Sequence, residues 1–253
     1  MRRIMKGQEP PSLTEHRERK WGQGEAAVSD YAEEPRWSNY THTSDARERI
    51  RVEQRAICAF CQSSIGVKKT LILAHVVPQS DEKDGRRLEM DWTNIVGSCR
   101  GGDPTHKPED YHCDRRQGSR RLSSALDPVR FTNGSFIYSK EGEVFWAEGD
   151  PDVQDEIDKV LGLNRPHLKD KRRAALAGFL RELDETSAED TEAKRRNALE
   201  LLDPERPNES MLMEYADYLL FHLREGELMS RGAPAAGADS SEASPSSPAG
   251  ESS

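Results

Sequence analysis

Apolar positions arrive in short bursts along this chain, separated by long polar stretches, and the spacing within the bursts changes from one region to the next. Up to about Thr43 the sequence is polar, with Leu13, Trp21, Tyr31, Trp37 and Tyr40 scattered at no sustained period, as expected of an arm that packs onto something else. Ser44 followed by residues 45–53 predicts a short helix with Ser44 as its N-cap. Residues 67–74 turn largely apolar and partly β-branched beyond Lys68 and Lys69, which predicts one strand of a small hairpin with His75 at its end. The next segment, 79–90, is charged and carries an Asp84-Gly85 turn signal. Residues 92–99 then predict a loop or short helix, and 111–122 a further helix.

Beyond residue 129 the pattern changes again. Asn133-Gly134 and Glu141-Gly142 are hairpin signals, and the aromatic and β-branched residues around them predict a small antiparallel sheet over 129–147. Four helices should follow: one over 153–161, one opening at Pro166, one capped by Ser187 with Asp190 in the capping-box position, and one after Asn208. Leucine-rich stripes such as Leu176, Phe179, Leu180 and Leu183 carry the ordinary meaning of helix packing. From Gly232 to Ser253 the chain is almost entirely Gly, Ala, Ser, Pro, Asp and Glu, too poor in apolar surface to offset the entropy of ordering, so a disordered tail is expected. The architecture expected is α+β, divided into an arm (1–44), a central unit (45–131), a β-hairpin and helical region (132–231) and the tail (232–253).

Composition sharpens this outline. Only 34% of the 253 residues are hydrophobic and 33% are charged, so part of the chain lies outside any packed core. No apolar run approaches the length of a bilayer span and no leader pattern opens the sequence, which predicts a soluble, cytoplasmic protein. The formal net charge of −9 argues against a surface devoted wholly to nucleic acid. The charge is uneven, however. Residues 58–131 carry 12 Lys and Arg against 10 Asp and Glu, whereas 148–253 carry 13 against 24. Arg115, Arg116, Arg120 and Arg121, with Arg100 and Lys107, crowd around the last two cysteines, where a phosphate backbone can dock; the alternative is a solvated charged face.

All four cysteines belong to one constellation: Cys58 and Cys61 in C-A-F-C, then Cys99 and Cys113. A reducing compartment disfavours disulfides, and a C-x-x-C turn offers two tetrahedral ligands from one knuckle, so a structural zinc held by four thiolates is expected. A redox pair at Cys58 and Cys61 is the alternative, but no βαβ pattern surrounds it and two cysteines would be left over. His112 or His106 could replace one thiolate.

Between the cysteines stand L-I-L-A-H-V-V-P-Q-S around His75, W-T-N-I-V-G-S-C around Asn94, and H-C-D-R-R-Q-G around Cys113. Together they resemble the HNH endonucleases, and most closely the PtuB-like HNH proteins of Septu-type anti-phage systems. M-R-R-I-M-K-G-Q-E-P-P-S-L at the start and I-D-K-V-L-G-L-N-R-P-H-L-K-D-K-R in the helical part extend that likeness to about Arg231. The resemblance implies a zinc-stapled, treble-clef-like ββα-metal core and hydrolysis of DNA. In it His75 acts as general base, Asn94 orients or buttresses the base strand, and Asp114, with His112 as neighbouring candidate, holds a catalytic Mg²⁺ or similar divalent ion. It also implies a PtuA-like ATPase as partner.

Two positions depart from the commoner pattern. Ala74 stands where many relatives carry an acidic ligand, so Asp91 or another carboxylate is a candidate substitute, and Gln117 replaces a lysine whose charge Arg115 or Arg116 can supply. Bland readings stand beside each role: a satisfied structural histidine at 75, a turn-stabilising amide at 94, a helix-capping carboxylate at 114. At the level of the whole chain the competing class is a non-catalytic zinc module binding nucleic acid or protein.

Overall fold

The computed structural model describes residues 1–19, 35–66, 70–102, 105, 107–132, 135–184, 188–203 and 211–231. Trp21, Tyr31, Lys68, Lys69, His106, the Asn133-Gly134 turn, the Ser187 cap, the helix start after Asn208 and the tail from Gly232 lie outside them. The chain is a mixture of helices and two small antiparallel sheets. Among the described residues no helix is long and apolar enough to cross a membrane.

Helix α1 (Pro11–Glu18) begins with proline at its first position, where no amide hydrogen is needed. Helix α2 (Ser44–Glu53) starts one residue earlier than the sequence suggested: Thr43 takes the cap position and Ser44 is already helical. The Asp45 carboxylate accepts from the Ala46 amide at 2.8 Å and ties α2 to α1 through Ser12. Strand β1 (Ile72–His75) pairs antiparallel with β2 (Ile95–Ser98), in register His75 with Ile95 and Ile72 with Ser98. Residues 95–98 were expected as loop or helix, because the only local cue, one turn of 3₁₀ helix at Trp92–Asn94, is real but stops where pairing to β1 takes over. Helix α3 (Gly85–Leu88) replaces the turn expected at Asp84-Gly85.

Helix α4 (Cys113–Gln117) is much shorter than the 111–122 helix expected. Gly118 stops it at φ +56°, its amide returning to the Asp114 carbonyl at 3.0 Å. A second hairpin, β3 (Phe136–Tyr138) and β4 (Val144–Trp146), turns through Gly142 at φ +84°. Helix α5 (Pro151–Asp155), capped by Asp150, widens into a π-helical stretch at Glu156–Val160, where the Leu161 amide reaches back to the Glu156 carbonyl. Helices α6 (Pro166–Asp184), α7 (Ala188–Leu202) and α8 (Ala216–Arg231) complete the chain.

One buried cluster runs through these parts. Met1, Ile4, Leu13 and Tyr40 from the N-terminal segment share it with Ile50 of α2, Phe60 of the cysteine knuckle, Ile95 and Val96 of β2, and Leu168, Tyr218 and Leu219 of the C-terminal helices. Burying several large side chains of this kind contributes roughly 1.5–3 kcal/mol each before entropy is counted. A buried Gln54 joins the layers: its amide donates to the carbonyls of Ile57 and Gly97 at 2.9 Å each and accepts from the Gly97 amide at 2.6 Å. Gly97 itself has no room for a side chain, since a Cβ there would lie 2.5 Å from Ile50.

Candidate metal centre and its neighbours

The knuckle forms because residues 57–64 fold back on themselves. The Cys58 amide donates to the Ser63 carbonyl at 2.9 Å, the Gln62 amide to the Cys58 carbonyl at 3.2 Å, and Gln62 takes a positive φ of 65° to close the turn. Cys99 enters from the end of β2. Cys113, the first residue of α4, arrives at φ +55°, with its amide fixed to the Leu161 carbonyl at 2.8 Å. Gly101 allows the chain to pass beneath α4: a Cβ at 101 would meet the His112 carbonyl at 2.3 Å.

All four thiols are buried, and their sulfurs lie within 4.8 Å of one another. Cys58 and Cys113 are 3.9 Å apart and Cys61 and Cys99 3.6 Å. Four sulfurs at about 2.3 Å from a central ion would be about 3.8 Å from each other, so the donors fit a tetrahedral metal centre. Backbone amides of Cys99 and Gly101 point at the sulfurs of Cys58 and Cys99, at 3.3 and 3.4 Å, which favours thiolate. Without a cation the thiols oppose one another. Hydrogen bonds from Cys113 and then from Cys58 and Cys99 hold Cys61 well below the usual thiol range. Burial, followed by hydrogen bonds with Cys58, Cys61 and Cys99, pushes Cys113 well above it. A divalent ion at their centre removes this conflict by letting all four ionise.

His112 borders the cluster. Its Nδ1 lies 3.1 Å from the Cys113 sulfur and 3.8 Å from that of Cys99, and its ring packs against His167 at 5.1 Å between centroids. That nitrogen faces the sulfurs of the cluster.

His75 closes β1 and is buried. Its Nε2 donates to the Glu89 carbonyl at 2.9 Å, which leaves Nδ1 as the basic nitrogen, facing the Gln79 amide at 3.2 Å. Burial lowers its affinity for a proton, partly offset by the Glu89 carbonyl. Asn94 holds the segment just beyond: its Oδ1 accepts from the Val77 amide at 2.7 Å, and its Nδ2 donates to the carbonyls of Val77 and Leu88 at 3.0 and 3.1 Å. Gln117 links α4 to the same place, donating to the Val76 carbonyl at 2.9 Å. Asp114 lies one helical turn before Gln117 on that face of α4. Its side chain is half-buried, has no hydrogen-bond or ion-pair partner among the described residues, and is pushed above the usual carboxylate range by desolvation.

The remaining predicted residues are engaged elsewhere. Asp91 caps the turn at Trp92–Asn94, accepting from the Thr93 amide and hydroxyl at 2.8 and 2.7 Å. Ala74 is buried in β1. Arg115 lies over the Tyr111 ring at 3.6 Å. Arg116 and Arg120 donate to the Lys159 carbonyl at 3.0 and 3.1 Å, and Arg121 pairs with Asp81 and Asp84 at 3.1 and 2.9 Å. The sequence reading missed Gln54, Glu89 and Gln79. None belongs to a metal- or nucleotide-type motif, and their meaning comes only from the backbone groups that the fold brings to them.

Compared with models of protein families and with curated protein sequences, the chain finds no match.

Proposed function

We propose that the chain is a metal-dependent nuclease of the HNH type, built on a zinc-stapled ββα core, that hydrolyses DNA phosphodiesters. The observation that carries this reading is the state of His75: a buried, neutral imidazole at a strand end, its tautomer fixed by a carbonyl so that Nδ1, which accepts from the Gln79 amide in this state, carries the electron pair for a proton. Zinc suits four thiolates in tetrahedral array and serves here as a structural ion. Asn94 keeps the strand end rigid, and Gln117 brings α4 against it. Asp114 is the carboxylate suited to a hard cation, being desolvated and otherwise unpartnered. A bound Mg²⁺ would supply charge neutralisation at the scissile phosphate.

Arg115, Arg116, Arg120 and Arg121 form the face for the phosphate backbone by exchanging their present carbonyl and carboxylate partners for phosphate. The likeness to PtuB-like proteins adds a PtuA-like ATPase as partner, docked on the acidic helices, and a place in cytoplasmic anti-phage defence. These rest on the resemblance alone.

A second reading, a non-catalytic zinc module, is favoured by Ala74, which removes one expected cation ligand from the strand before His75. Incubating the purified chain with Mg²⁺, supercoiled plasmid and RNA in parallel separates the readings. Cleavage abolished by His75→Ala supports the nuclease and shows which nucleic acid it prefers; no cleavage by either protein at low or at raised ionic strength, with zinc retained, favours the binding module.

A further inference from the structure

Against His75 lies a short strap, residues 35–39, that ends at the buried Tyr40. Trp37 begins a single 3₁₀ turn at Trp37–Asn39 and sets its ring perpendicular to the imidazole, at 89° and 4.7 Å between centroids. With Trp37 above it and both ring nitrogens bonded, His75 is only 7% exposed. An open groove of about 460 Å³ is lined by Arg17, Arg87 and residues 90–93, and His75 is not part of its lining.

The strap is fastened by polar contacts. Arg36 pairs with the Glu89 carboxylate at 2.7 Å, Arg86 donates to the Pro35 carbonyl at 3.3 Å, and the Asn39 Oδ1 accepts from the Arg36 amide at 2.9 Å and lies 2.9 Å from His16 Nε2. The guanidiniums of Arg36 and Arg86 are nearly half exposed, where ion pairs are individually weak and screened by salt. Trp37 is only partly buried and packs on Tyr40 with the two rings tilted by 52°. Glu89 joins strap and base: its carboxylate holds Arg36 while its own carbonyl fixes the His75 tautomer. It also pairs with Arg86, so releasing Arg36 does not strand a buried carboxylate. Contacts of this kind can be exchanged for water or for a partner without stranding a buried charge.

We propose that residues 35–39, anchored at the buried Tyr40, are an autoinhibitory strap that covers His75 in the resting protein and must lift before the imidazole meets water or substrate. The biological meaning of this rests on the nuclease reading; its test does not. Lifting leaves the Glu89 carbonyl bond in place, so the base keeps its tautomer and gains only access. Raised ionic strength, or a partner that captures Trp37 or Arg36, shifts the population toward the open form.

The test is carbethoxylation of the full chain at pH 8, where imidazoles are neutral, read by mass spectrometry on the tryptic fragment 70–83, whose only histidine is His75. Trp37→Ala should raise the modification rate of His75 at least about tenfold, because apparent reactivity scales with the open fraction. Arg36→Ala and Asn39→Ala, which keep the tryptophan, should raise it by a smaller factor, as should salt in the wild type. Unchanged reactivity in variants that retain their zinc and their circular dichroism overturns the strap, and if Trp37→Ala fails to fold, the two milder variants decide. Plasmid cleavage is scored separately: faster modification without any cleavage keeps the strap and counts against the nuclease.

Discussion

Replacing Asn94 with alanine removes a side chain that is 5% exposed and makes three hydrogen bonds to backbone, two to Val77 and one to Leu88. The backbone pairing from the Val76 amide to the Asn94 carbonyl remains, so strand β2 keeps its register. What is lost is the satisfaction of one amide and two carbonyls in a place that alanine leaves without donors or acceptors. Each such orphan costs about 1 kcal/mol or more when water cannot reach it, for a total of about 3 kcal/mol. For a protein of this size that corresponds to a fall of roughly 6–12 °C in Tm. Asn94→Asp keeps the acceptor for the Val77 amide but turns the two donors into a carboxylate facing carbonyls, so it should be at least as harmful. Urea titration and calorimetry of the zinc-loaded protein measure both. A loss below about 1 kcal/mol for Asn94→Ala would mean that the turn after His75 is held by something other than this amide and would refute the reasoning.

Two further outcomes follow from the same geometry. Purified protein should carry one zinc per chain by atomic emission, and Cys113→Ser should lower that content and expose the core to proteolysis, whereas equal zinc in the variant would remove Cys113 from the ligand set. Burial depresses the His75 pKa in the folded protein, so the unfolded chain takes up the proton first. The corresponding stability is complete above the unfolded imidazole value of about 6.5 and drains away as pH falls from there toward the folded value. Denaturation series between about pH 8 and 5 should therefore show a gentler decline for His75→Gln than for the wild type, and parallel curves would show that His75 is not desolvated as described.

The sequence revealed the cysteine cluster because its chemistry is local: two thiols in C-x-x-C and two more with no other occupation. Helix α6 was likewise visible in its proline signal, helix α2 in its sequence although its cap lies at Thr43 rather than Ser44, and the β3–β4 hairpin in its aromatic residues and its Glu141-Gly142 turn. Strand β2 was not, since its four residues are all buried and alternate with nothing; only the pairing to β1 makes them a strand. The overlong prediction for α4 failed at Gly118, where a left-handed residue ended the helix early. The surroundings of His75 were hidden for another reason. Glu89 acts on it through a carbonyl, Gln79 through a neutral amide and Trp37 through a ring edge, and none of these roles is restricted to particular residue types at fixed spacing.

The wide π-helical stretch at Glu156–Val160 also bears on the cysteine cluster. Its extra residue per turn sets where the following carbonyls emerge: Lys159 receives Arg116 and Arg120, and Leu161 receives the amide of Cys113. Deleting a single residue there would restore an ordinary α-helical turn and change which carbonyls stand at those positions. The fourth thiol would lose its anchor although no ligand had been touched. A length change some forty residues downstream of Cys113 thus acts as a tuning screw for the tetrahedron.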